Sequence, residues 1–150
     1  MLMRKVSQKR GKVMNEYWVR YNCHPKDLNV RDCIVRAVAT ALNEDYLEVR
    51  KELNHTKKEL GYSSYKDKMF LYDYLKDYPR ILFKSEKGKP RCKVTDFCNT
   101  HLKGTYILSL RGHATCCVNG KVYDTWDCTY LTVYTAWKIS DEGVKIRYEL

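Results

Sequence analysis

The stretch "HATCCVNGKVYDTW", His113 to Trp126, decides how the second half of this chain is built. An Asn-Gly pair stands between two runs rich in β-branched and aromatic residues. That is the strongest short-range signal for a β-hairpin with a two-residue turn. With Asn119 and Gly120 as the turn, Val118 pairs with Lys121, Thr115 faces Asp124 and His113 faces Trp126. Opposed residues share a face, so residues 113, 115 and 117 lie with 122, 124 and 126. Asp124 is then diagonal to His113, with backbones roughly 7–8 Å apart, a gap that two side chains bridge. Asp127 has the opposite parity. Cys116 and Cys117 point to opposite faces and do not share a site.

Working outward, "TYILSL" reads as the strand before the hairpin, and "YLTVYTAWKI" and "VKIRYEL" as strands after it. "EYWVRYN", Glu16 to Asn22, is one more strand near the N-terminus. Between them the period changes. A helix runs from about Asp32 to Leu42. A second, "EDYLEVRKELN", is capped by Asn43 and aligns Tyr46, Val49 and Leu53. A third, "YKDKMFLYDYLKDY", is stopped by Pro79. "ILFK" is a short strand, and "VTDFCNTHL" a fourth helix closed by Gly104. Helices followed by antiparallel strands predict an α+β fold with segregated layers.

The chain has 150 residues, enough for one domain with a sizeable core. Its net charge is +10, and "MLMRKVSQKRGKV" carries five Lys or Arg and no acid. Residues 1–14 are expected to form a basic mobile arm, and residues 15–150 the domain. Such an arm suits nucleic acid or an acidic partner, but no nucleic-acid-binding motif accompanies it. No signal peptide or transmembrane run is found, so a cytoplasmic protein without membrane contact is expected. Oligomeric state is not legible.

Seven cysteines in a cytosolic chain are expected to be reduced. No CxxC pair suggests a zinc ribbon or a thioredoxin-type site. "CNTH", Cys98 to His101, has metal-like spacing. However, Val94, Phe97, Cys98, His101 and Leu102 make one apolar helical stripe, so the pair is expected in the core and no metal is expected.

"NVRDCIVRAVATAL", Asn29 to Leu42, is apolar nearly all the way round, with only Arg36 and Thr40 polar on one side of the wheel. Such a helix is buried centrally. Asp32 is a good N-cap, which makes Cys33 the first helical residue. A helix N-terminus favours thiolate over thiol and offers N–H groups to a developing oxyanion. A small core thiol is an equal alternative on the helix alone, and a base must decide. Of four histidines, His24 lies in a loop, His55 ends a polar helix and His101 belongs to the core stripe. His113 starts a strand after Gly112, a residue that lets another backbone or a substrate approach. Asp124 faces it, and Trp126 is placed to shield the pair from water. Nucleophile, base and orienter then stand in the order Cys33, His113, Asp124.

"DCIVRAVATAL" with "GHATCCVNGKVYDTWD" resembles the papain-like cysteine peptidases. The likeness is to small bacterial and phage-type members near the bacteriocin-processing double-glycine peptidases. The resemblance implies a papain-like fold, with a central cysteine-bearing helix packed on an antiparallel sheet. It also implies a Cys33–His113–Asp124 triad that cleaves an amide or isopeptide bond of a protein or peptide without a cofactor. The Cys-Gly-Ser-Cys-Trp of papain is absent, and the only glutamine, Gln8, lies in the basic arm rather than shortly before Cys33; Asn29 is the local substitute, holding the oxyanion with the Cys33 N–H. "NVRDCIVRAV" also looks like the active-site helix of ovarian-tumour-type deubiquitinases, Asp-Gly-Asn-Cys-Leu-Phe-Arg-Ala, although His113 is followed by Ala. A catalytically silent papain-like binding module, such as a phage-encoded inhibitor, is the remaining alternative.

Overall fold

The computed structural model describes residues 12–13 and 15–146, which form a mixed α+β fold. Along the chain run β1 (Lys12–Val13), β2 (Trp18–Arg20), α1 (Cys33–Leu42), α2 (Tyr46–Leu60), α3 (Phe70–Tyr74), β3 (Arg80–Leu82) and α4 (Val94–Thr100). Then come β4 (Thr105–Leu110), β5 (His113–Val118), β6 (Lys121–Asp124) and β7 (Val133–Ser140). One sheet takes the order β1-β2-β6-β5-β4-β7-β3. Residues 12 and 13, placed in the arm by their charge, pair as β1 with β2. The rest of residues 1–14 lies outside the described residues.

The β5–β6 hairpin has the expected register, with Val118 opposite Lys121 and Cys116 opposite Tyr123. Its turn needs positive φ at both central residues, and Asn119 (47°) and Gly120 (78°) supply it. Parity then sorts the core. Cys116 and Val118 meet α1, α2 and α3 on one face. Cys117 and Val122 meet α4 on the other. The adjacent cysteines therefore serve opposite faces, and both faces of the sheet are covered.

Several elements differ from expectation. β2 pairs in parallel with β6, placing Arg20 beside Asp124, so the sheet is mixed rather than antiparallel. Asn43 adopts a left-handed conformation that closes α1, and Asp45 caps α2 by accepting the Glu48 N–H at 3.1 Å. The third helix keeps only Phe70–Tyr74. Residues 65–69 form turns instead, held by the Asp67 carboxylate accepting the Met69 N–H at 2.9 Å. α4 stops at Thr100, which leaves Leu102 70% exposed and outside the apolar stripe. Cys98 is buried, while His101 is half-buried and stacks on Phe97 with centroids 3.9 Å apart. Residues 144–146, read as part of a last strand, have no strand structure, and the remainder of that stretch lies outside the described residues.

α1 packs on β5 with α2 beside it. Its predicted polar side is not solvated: Arg36 and Thr40 are both buried. A buried guanidinium needs partners, and those it finds belong to the site below.

Candidate active site

Three elements converge at one end of the sheet. Cys33 is the first residue of α1, His113 the first of β5 and Asp124 the last of β6. The hairpin register brings His113 Nε2 to 2.6 Å from Asp124 Oδ2. Cys33 and His113 line the same cavity, and Cys33 is among the side chains that raise the His113 pKa. The sequence-predicted His113 and Asp124 are therefore in direct contact, and Cys33 shares the cavity lined by the imidazole.

The protonation of the pair follows from its surroundings. Burial alone would lower the His113 pKa, but the hydrogen bond to Asp124, with those to Cys128 and Cys33, raises it to about 11. Burial alone would raise Asp124, yet the hydrogen bond and charge of His113, together with Arg36, hold it below the ordinary carboxylate range. At neutral pH the pair is imidazolium and carboxylate, and Nε2–H donates to Oδ2.

Asp124 is fixed from several sides. Its Oδ1 accepts the Thr125 N–H at 2.7 Å, and Arg36 Nη2 lies 3.9 Å from the same oxygen. Its Oδ2 accepts the Cys128 thiol at 3.6 Å, a thiol that burial keeps protonated. Its backbone carbonyl accepts from Tyr21 N at 2.9 Å and Trp18 Nε1 at 3.0 Å, the consequence of the parallel β2–β6 pairing.

Asp32 takes a role the sequence did not show. It occupies the N-cap position, but its side chain makes no cap hydrogen bond. The carboxylate instead accepts from Arg36 Nη1, one helical turn on, and from the Tyr46 hydroxyl at 2.5 Å. Arg36 Nη1 also donates to the Val30 carbonyl at 3.1 Å. The loop that delivers Cys33 is thus tied to the residue that orients the imidazole.

Trp126 lies against His113 with ring centroids 4.7 Å apart, at the position expected of a shield, and is 36% exposed. Asp127, the alternative orienter, is used elsewhere: its Oδ1 accepts the Thr129 N–H at 2.9 Å and its Oδ2 the Asn15 amide at 3.3 Å. Asn29 is exposed and lines the cavity in front of Cys33, where its amide makes no hydrogen bond among the described residues. Gly112 was expected to admit a close neighbour; a Cβ there would meet nothing within 4 Å, and the glycine serves the turn through its φ of 65°.

The cavity has a volume of about 540 Å³ and is lined by Asn29, Cys33, Gly112, His113 and Trp126 among others. It opens directly on the cysteine and the imidazole, a size and placement suited to a substrate segment. His113, Asp124 and Cys128 also form the one set of metal-type donors among the described residues, with donor atoms within 4.8 Å of one another. Their spacing fits a proton better than a metal. Two ligands about 2.0 Å from a tetrahedral zinc lie roughly 3.3 Å apart, whereas Nε2 and Oδ2 are 2.6 Å apart. Cys128 and Arg36 were not singled out as site residues by sequence. Cys128 is fully buried four residues past Asp124, and only the fold reveals its contact.

No helix among the described residues is long and apolar enough to cross a membrane. In comparisons with known proteins, no family model, no curated protein and no solved structure matches this chain.

Proposed function

We propose that this protein is a cysteine-nucleophile hydrolase of papain-like type that cleaves an amide or isopeptide bond in a protein or peptide. The observation that carries it is the His113–Asp124 pair sharing one cavity with Cys33 at the start of α1. Cys33 sulfur attacks the carbonyl carbon as thiolate, and the C=O electron pair moves to oxygen. The Cys33 backbone N–H and the Asn29 amide hold that oxyanion. As the tetrahedral intermediate collapses, the C–N bond breaks and His113 passes its proton to the leaving amine. The neutral imidazole then takes a proton from water, whose oxygen attacks the thioester. Collapse of the second intermediate releases the acid and restores the imidazolium and thiolate. Asp124 remains ionised and holds the ring.

A silent binding module needs no access to Cys33, and the open cavity at that residue favours hydrolysis over it. The test is exposure of a mixed peptide library to the full chain, with new termini mapped by mass spectrometry. Cleavage by the wild type, absent from Cys33→Ala and from His113→Ala, is the expected result. The absence of any new terminus attributable to Cys33 contradicts the proposal.

A further inference from the structure

We infer that the cavity beside Cys33 selects a peptide segment carrying aspartate or glutamate next to an apolar side chain; this rests on the hydrolase function proposed above. The deep lining is apolar. Leu71 and Leu110 are both 4% exposed there, with Ile34 half-buried beside them. The rim is cationic. Arg31, two residues before Cys33, and Lys66 and Lys68, in the turns preceding α3, all line the cavity and all are exposed.

None of these three cations has an ion-pair partner among the described residues, whereas Lys89 pairs with Glu86 at 3.0 Å and Lys103 with Glu142 at 3.4 Å. Two carboxylates also line the cavity. Asp67 accepts the Met69 N–H, and Asp32 is buried against Arg36 and Tyr46. With Arg31, Arg36, Lys66 and Lys68 against Asp32 and Asp67, the lining carries an excess of positive charge, which favours an incoming anion. A carboxylate on the substrate would meet Arg31, Lys66 or Lys68 without displacing an existing partner. The apolar lining would bury an aliphatic or aromatic neighbour. An acidic flank with an apolar anchor matches both parts of the cavity.

Alkylation of Cys33 by iodoacetate and by iodoacetamide, followed on the full chain by mass spectrometry, separates charge selection from nucleophilicity. The ratio of the anionic to the neutral rate is expected to fall about fivefold in Lys66→Glu/Lys68→Glu, and to fall with added salt in the wild type. Lys87→Glu/Lys89→Glu makes the same change of charge outside the cavity and is expected to keep the ratio. A peptide with glutamate flanking leucine should protect Cys33 from iodoacetamide at a lower concentration than its lysine counterpart. An unchanged ratio in Lys66→Glu/Lys68→Glu, or equal protection by the two peptides, overturns the inference. Failure of iodoacetamide to select Cys33 at all overturns the hydrolase function first, and the inference with it.

Discussion

Arg36 Nη2 lies 3.9 Å from Asp124 Oδ1, so the helix that carries Cys33 and the strand that carries Asp124 share one buried guanidinium. The same side chain holds Asp32, the residue before Cys33. Removing the cation leaves the buried Asp32 carboxylate without a counter-charge and Asp124 with His113 alone. Arg36→Met keeps the bulk and loses the charge. It is expected to cost about 3 kcal/mol in denaturant unfolding, and to lower kcat at least tenfold through misplacement of His113. An Arg36→Met protein as active and as stable as the wild type would show that the link carries nothing.

Asp124→Asn preserves an acceptor for Nε2–H but not the charge that holds the imidazolium. The alkaline limb of kcat/KM is set by loss of the His113 proton, at about 11 in the wild type. In Asp124→Asn it should move down toward the ordinary histidine value, roughly 6.5. Asp127→Asn touches only Thr129 and Asn15 and should leave both the limb and the rate close to wild type. A larger effect at Asp127 would contradict the assignment of Asp124 as orienter.

The pair also makes stability depend on pH. His113 has a folded pKa above its unfolded value, so its contribution is complete below about 6.5 and declines as pH rises toward 11. Asp124 has a folded pKa below its unfolded value of about 3.9, so its contribution is present above that pH and is lost on acidification. Both shifts report one interaction. Thermal unfolding should show greatest stability between about pH 4 and 6.5, with the alkaline decline diminished in His113→Ala. Other ionisable groups shape the same curve, so the difference between the two proteins is the quantity to measure.

Much of this was legible in sequence, and for local reasons. Asn119-Gly120 fixes a turn, a turn fixes a register, and the register selects Asp124 over Asp127 without any long-range contact. The apolar circumference of residues 34–42 likewise places Cys33 at the mouth of a buried helix. What was not legible depends on distant pairing. Nothing in Trp18–Arg20 specifies β6 as its neighbour, because three residues of strand carry no partner information. Asp32 read as an N-cap because its type and position suit one, yet a buried arginine one turn on outcompeted the backbone N–H groups for its carboxylate. Arg36 itself read as the polar side of a wheel, and only the covering loop shows that this side is closed.

The hairpin turn offers an independent check on the register. Gly120 has a φ of 78°, and a Cβ there would lie 2.9 Å from the Cys98 carbonyl oxygen. Gly120→Ala combines left-handed strain with a backbone clash and is expected to cost about 2 kcal/mol. Gly112→Ala has the same strain without the clash and should cost less. Equal melting temperatures for the two variants would contradict this description of the turn.

The central claim is that Cys33 is activated by His113, and the rate of alkylation at each of the seven cysteines tests it most directly. At neutral pH, iodoacetamide should label Cys33 faster than any other thiol, and His113→Ala should remove that advantage while the remaining six cysteines keep their rates. Labelling of Cys33 no faster than the other half-buried thiols, Cys23 and Cys92, or selective labelling that survives His113→Ala, would contradict it.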